Sequence, residues 1–60
     1  MMNNVIVTVK NVFRPPVEME GTWVVFFFAT SENGTDYNTA KAFDTFEEAN
    51  NVKPGVEVEL

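Results

Sequence analysis

The side chains that could carry chemistry in this 60-residue chain are almost all carboxylates, since it has nine Asp and Glu residues, no Cys and no His. Nucleophilic catalysis needs a nucleophile beside a base, and the chain offers Ser31 as its single serine. Structural zinc sites need Cys or His ligands, which are absent from the sequence. These residue types argue against serine or cysteine hydrolases and against zinc centres.

Carboxylates alone can act as acid and base, as they do in glycosidases. That chemistry requires two of them to face into a cleft of several hundred Å³, more than so short a chain encloses. Asp36 and Asp44 lack the spacing of a calcium loop, and the glycines at 21, 34 and 55 are too isolated to form a phosphate loop. The sequence therefore predicts a protein that is not an enzyme and uses no metal or cofactor.

Length and charge restrict the remaining function classes. A chain this short predicts one domain, residues 1–60, with a core too small to be stable without help. Small scaffolds without disulfides or metals usually gain stability from a partner subunit. The net charge of −5 argues against proteins that bind nucleic-acid backbones or anionic membranes through clustered cations.

The first residues, Met1-Met2-Asn3-Asn4, run directly into an alternating strand pattern and show no leader of the secretory type. The longest apolar run, Trp23 to Ala29, is far shorter than the ~20 residues of a membrane helix. We therefore expect a cytoplasmic protein that does not enter a membrane.

Strand-forming residues dominate the chain, because 25 of its 60 residues are β-branched or aromatic. Alternation predicts a first strand from Val5 that ends by about Phe13, before Pro15-Pro16. Two long strands follow, the first at 22–31 and the second ending at Phe43. A short last strand occupies 56–60. The capping pattern Thr45-Phe46-Glu47-Glu48 predicts a helix of two turns that ends at Pro54-Gly55. The fold class is α+β, a mainly antiparallel sheet in the order β-β-β-α-β with one short helix.

Asn33-Gly34 predicts a two-residue hairpin turn of type I′ and thereby a register between the two long strands. One face would carry the pairs Phe28–Thr39, Phe26–Lys41 and Val24–Phe43, and Tyr37 would lie opposite Thr30. The other face would carry Phe27–Ala40 and Val25–Ala42, whose small alanines would let the helix lie close to the sheet.

The strand Trp23–Ala29 is apolar on both faces, which is typical of strands covered on both sides. One short helix covers one side, so the second face is either enclosed by curling of the sheet into a barrel or occupied by another molecule. A second copy of the chain is the simplest occupant, since two-fold dimers are the commonest oligomers. The predicted partner-binding residues are Val24, Phe26, Phe28, Tyr37, Lys41 and Phe43.

Two other functions use the same residues differently. Phe26, Phe28 and Tyr37 around Lys41 have the composition of a base-stacking platform of OB type for single-stranded nucleic acid, although few cations surround them. Alternatively, an acidic surface could mimic nucleic acid and block a basic protein; its candidate residues are Glu47, Glu48, Glu57 and Glu59.

The segment from Phe43 to Ala49 is similar to the sheet-to-helix junction of many small bacterial and phage domains. That similarity covers seven residues and specifies no function. The doubled Met at the start and the capped last strand predict a complete small open reading frame, which is typical of accessory or inhibitor proteins of bacteria or their phages. We therefore expect a small acidic protein that binds another protein and self-associates through an aromatic sheet face.

Overall fold

The computed structural model describes residues 5–60. The prediction that Met1–Asn4 shows no secretory leader therefore lies outside the described residues. The elements are β1 (Ile6–Val12), β2 (Val17–Met19), β3 (Thr22–Ser31), β4 (Asp36–Phe43), α1 (Phe46–Asn50) and β5 (Glu57–Glu59). The predicted α+β class, a mainly antiparallel sheet with one short helix, is confirmed. The chain adds one strand to the predicted order, β2, in the segment 17–21, for which the sequence predicts a connection or a ragged edge.

The strands form one antiparallel sheet with β3 at its centre. β4 pairs with β3 from Trp23 to Thr30 and so occupies one edge of β3 along nearly its whole length. β1 and β2 share the opposite edge, where they pair with the second and first halves of β3. β5 pairs with the far side of β1. Among the described residues, β4 and β5 do not pair with each other, so the sheet stays open and the barrel alternative is wrong.

The break between β1 and β2 follows from Pro15 and Pro16, which have no backbone N–H to donate to a ladder. β1 ends at Val12, as the sequence predicts, and pairing resumes at Val17. A register shift between Val9 and Asn11 adds a bulge before this break. β1 and β2 are therefore two halves of one interrupted strand.

The predicted register of the β3–β4 hairpin is wrong by one residue. The observed pairs are Phe26–Ala40, Phe27–Thr39 and Val24–Ala42. The loop has three residues, Glu32 to Gly34, and is closed by a hydrogen bond from Ser31 N to Thr35 O of 2.8 Å.

Type I′ geometry is excluded at this loop because it needs positive φ at both central residues, and Asn33 has none. Ser31 and Asn33 instead use their side chains locally: Ser31 Oγ and Asn33 Oδ1 each accept from Thr35 N at 3.2 Å. The glycine still takes the left-handed position, with φ of +89° at Gly34. A three-residue loop ending in glycine is a common hairpin connection of its own.

A turn with the φ values of type I′ occurs at the β2–β3 connection, where no Asn-Gly pair stands. Glu20 and Gly21 have φ of 51° and 85°, and Met19 pairs directly with Thr22 across the loop. The Thr22 hydroxyl donates to Met19 O at 2.9 Å, which adds a side-chain bond at this end of the hairpin.

The hydrophobic core lies between one face of the sheet and α1. Its central sheet residues are Val25, Phe27 and Ala29 of β3, all with at most 1% of their surface exposed. From the helix side, Ala49 and Val52 close over them, and Val7, Val9 and Val58 complete the cluster. Phe46, at the start of α1, stays 46% exposed.

The predicted helix cap at Thr45 is confirmed, but α1 is shorter than the predicted two turns. Thr45 Oγ1 accepts from Glu48 N at 3.2 Å, and the Thr45 hydroxyl donates to the Glu48 carboxylate at 3.2 Å. The helix ends at Asn50, and Asn51 is its C-cap residue. With five residues, α1 covers only part of the sheet. Over residues 5–60, no helix is long and apolar enough to cross a membrane.

Candidate functional site

The face of the sheet opposite α1 is the candidate site, and we call it the open face. Side chains of a strand alternate between faces, so burial of Val25 and Phe27 on the helix side places Val24, Phe26 and Phe28 on the open face. These three side chains are half-buried by their neighbours. No element of residues 5–60 packs over them from above.

Neighbouring strands extend this apolar surface in both directions. β2 contributes Val17 opposite Val24 and Met19 opposite Thr22, and β4 contributes Ala40 opposite Phe26. Three large side chains at the border are among the most exposed apolar groups of the described chain: Phe13 at 50%, Met19 at 47% and Ile6 at 42%. The apolar open-face residues are Ile6, Phe13, Val17, Met19, Val24, Phe26, Phe28, Ala40 and Ala42.

The Arg14 side chain brings a cation to the open face. The Arg14 guanidinium carbon lies 5.0 Å from the centroid of the Phe26 ring, within the range of a cation–π contact. Arg14 reaches this position because the chain leaves the ladder at Pro15, beside the middle of β3. Phe26 therefore has a charged neighbour, although not the Lys41 that the predicted register had placed opposite it.

The predicted partner-binding residues divide between the two faces. Val24, Phe26 and Phe28 lie together on the open face, as predicted. Tyr37, Lys41 and Phe43 lie on the helix face, because the three-residue loop shifts β4 by one position and exchanges its faces. The same shift puts Ala40 and Ala42, which we had expected beneath the helix, on the open face, where both are exposed.

On the helix face, Tyr37, Lys41 and Phe43 are half-buried beside the core. The Lys41 ammonium lies 5.9 Å from the Phe43 ring centroid. Lys41, Phe43 and Glu48 line an open groove of about 270 Å³ together with residues of β5. The proposed base-stacking set is thus not assembled, since Phe26 and Phe28 lie on the face opposite Tyr37 and Lys41.

The acidic residues singled out from the sequence belong to two layers. Glu57 and Glu59 flank buried Val58 in β5 and pair with Thr8 and Ile6, so their side chains leave the sheet on the open face. Glu47 and Glu48 are exposed on the first turn of α1, on the other side of the molecule. Acidic residues therefore border both faces, and Glu48, Glu57 and Glu59 also line the groove beside β5.

Phe13 and Met19 are open-face residues that the sequence-based prediction did not include. Their signal was present: Val17-Glu18-Met19 alternates like a strand, and Phe13 follows the alternating first strand. Phe13 N donates to Phe26 O at 3.1 Å, which extends pairing beyond the end of β1. Pro15-Pro16 had suggested an irregular segment, which concealed the second half of the interrupted strand.

Among residues 5–60, no group of three or more acidic side chains is arranged to hold a metal ion. No protein-family model matches the chain, and neither the curated proteins nor the solved structures contain a significant match. Its function must therefore be argued from the surface itself.

Proposed function

We propose that this protein is a small, non-enzymatic protein-binding module that self-associates through its open face. The observation that supports this most directly is the continuous apolar strip across β2, β3 and β4, centred on Val24, Phe26 and Phe28. Monomeric proteins rarely expose contiguous apolar patches larger than a few hundred Å². A second copy that presents the same strip would remove both strips from water.

The dimensions of the molecule fit such a contact. The Cα atoms span 33 × 28 × 16 Å, so the chain is a flat slab and each broad face measures roughly 900 Å² in projection, from 33 × 28. A stable interface of standard size buries about 800 Å² on each partner. One face of this slab is therefore large enough to form a complete dimer interface.

The distribution of residue types also resembles that of an interface. Phenylalanine and methionine side chains, which are enriched in interface centres, occupy the strip. Glu57, Glu59 and Asp36 lie toward its margins on the outer strands β5 and β4. A polar rim of this kind would remain in contact with water when two copies pack together.

Sedimentation equilibrium tests the proposal at protein concentrations of tens of micromolar. We expect a mass of at least two chains of 6.8 kDa each. Phe13→Ser removes a ring that is 50% exposed on the open face and should weaken association at least about tenfold, the effect expected of ~1.4 kcal/mol.

Phe46→Ser is the matched control, because Phe46 is 46% exposed but lies on the helix side. It should leave association unchanged, provided that circular dichroism shows the chain to be folded. A wild-type monomer at about 100 µM, or equal weakening by both substitutions, would contradict the proposal.

A further inference from the structure

The two edges of the sheet are protected to very different extents. On one side, β2 and β5 have three residues each, and the two short segments carry Glu18, Glu57 and Glu59. On the other side, β4 has eight residues and pairs with β3 without any register shift. Proteins commonly protect sheet edges from further pairing with short strands, charges, proline or bulges. β4 has none of these except two charged residues, Asp36 at its start and Lys41.

The backbone direction of β4 follows from the pairing of β3. Phe26 O accepts from Phe13 N, so the backbone groups of Phe26 face β1 and not β4. Its partner Ala40 must then direct its own N–H and C=O away from β3, because such groups alternate along an antiparallel ladder. The same alternation turns the backbone groups of Asp36, Asn38 and Ala42 outward. Within residues 5–60 no strand pairs with this edge.

We propose that β4 is a second self-association site, which pairs antiparallel with β4 of another copy about a two-fold axis through Thr39. In this register Asn38 lies opposite the partner's Ala40, and Asp36 lies opposite the partner's Ala42. Counting both directions gives four hydrogen-bonded pairs of two bonds each, about eight backbone bonds in all. The result is one continuous sheet made from two chains.

Charge selects this register over its neighbours. If the two-fold axis passed through Ala40, Asp36 would lie opposite the partner's Asp44. If it passed through Asn38, Glu32 would lie opposite the partner's Asp44. Like charges directly opposite each other destabilise strand pairs. The register centred on Thr39 brings no acids into opposition.

The proposed register also accommodates Lys41, the charged residue in the second half of the edge strand. It places Lys41 beside the partner's Tyr37 on the helix face, where the ammonium can lie over an aromatic ring. β4 itself carries Asp36 and Lys41 and is neutral overall, in a chain of net charge −5. Two copies therefore meet along the strand where electrostatic repulsion is small.

Amide hydrogen exchange by NMR distinguishes this edge contact from the open-face contact. In an unpaired edge, the N–H groups of Asn38, Ala40 and Ala42 exchange quickly, while those of Thr39 and Lys41 are protected by β3. Pairing should slow the outward amides by about tenfold or more when wild-type protein is raised from ~10 µM to ~1 mM.

Ala40→Pro is the variant that tests the edge directly. It removes an outward N–H without removing any bond between β3 and β4, and proline is tolerated at such edge positions. We expect fast exchange at Asn38 and Ala42 and a smaller mass by sedimentation. Ala40→Val also enlarges this open-face side chain but keeps the N–H, so it is the matched comparison. Slow exchange at Asn38 and Ala42 should persist in Ala40→Val and be lost only in Ala40→Pro. If the proline variant does not fold, the concentration dependence of wild-type exchange still decides the matter.

The possible outcomes separate the two interfaces. Fast exchange of the outward amides in a wild-type oligomer at ~1 mM would overturn the edge contact and leave the open-face dimer standing. Concentration-dependent protection that survives Phe13→Ser would support the edge contact even if the open-face proposal failed. Protection of the outward amides in a wild-type monomer would also overturn the edge proposal.

Discussion

Trp23 and Phe46 meet edge to face, with ring centroids 5.0 Å apart and ring planes at 73°. Trp23 belongs to the start of β3, and Phe46 is the first residue of α1, so this contact joins the helix to the sheet. Trp23 is the only tryptophan of the chain, which makes its fluorescence a specific reporter of helix docking.

Phe46→Ala should destabilise the fold by about 1–2 kcal/mol, less than the ~3–5 typical of a buried phenylalanine, because Phe46 is 46% exposed. Trp23 emission should shift to longer wavelength in the folded variant as its ring meets water. Phe13→Ala, a comparable truncation on the open face, should leave the emission of Trp23 unchanged under monomeric conditions. Unaltered emission in Phe46→Ala would show that the ring contact does not fix the helix.

Phe27→Ala should cost about 3–5 kcal/mol, since Phe27 is fully buried at the centre of the core, and should leave the chain largely unfolded. Phe28→Ser changes the next residue, on the open face, and should preserve the fold while weakening self-association. Thermal melting and sedimentation of both variants check this. If folding and association are coupled, the melting temperature of wild type will rise with protein concentration. Tolerance of Phe27→Ala together with unfolding by Phe28→Ser would contradict the assigned faces.

Glu20→Asn should stabilise the protein by about 0.5–1 kcal/mol, because Glu20 has φ of 51° and asparagine tolerates the left-handed region better. The melting temperature should rise by several degrees. Glu32→Asn makes the same replacement in the β3–β4 loop, where Glu32 is not among the residues with positive φ, and should change little. A lower melting temperature for Glu20→Asn would argue against the turn geometry.

Single-stranded nucleic acid should bind weakly or not at all at physiological salt. The chain has a net charge of −5, and its aromatic and cationic candidates are divided between two faces. Fluorescence anisotropy of a labelled oligothymidine, titrated with protein in ~0.15 M salt, measures this. Saturable sub-micromolar binding that is lost in Phe28→Ser would instead assign the open face to base stacking.

Local patterns in the sequence predicted the elements other than β2. Alternation identified β1 and β5, and a continuous run of β-branched and aromatic residues identified β3. Both patterns depend only on which residues sit next to each other along a strand. The Thr45 cap and the end of β1 before Pro15 are equally local, because each depends on hydrogen bonds within a few residues. Alternation separates Phe27 from Phe28, and the prediction that Phe27 is the covered one is confirmed. Its basis is wrong, because it relied on Ala40 and Ala42 lying beneath the helix, and both lie on the open face.

Tertiary structure decided how those elements meet. Asn33-Gly34 is compatible with loops of two or three residues. The structure has the three-residue loop, in which Thr35 N donates to Ser31 Oγ and to Asn33 Oδ1. Moving the register by a single residue exchanges every side chain of β4 between the faces. Composition marks Tyr37 and Ala40 as candidates for either face, and only the paired backbone assigns Tyr37 to the helix side and Ala40 to the open face.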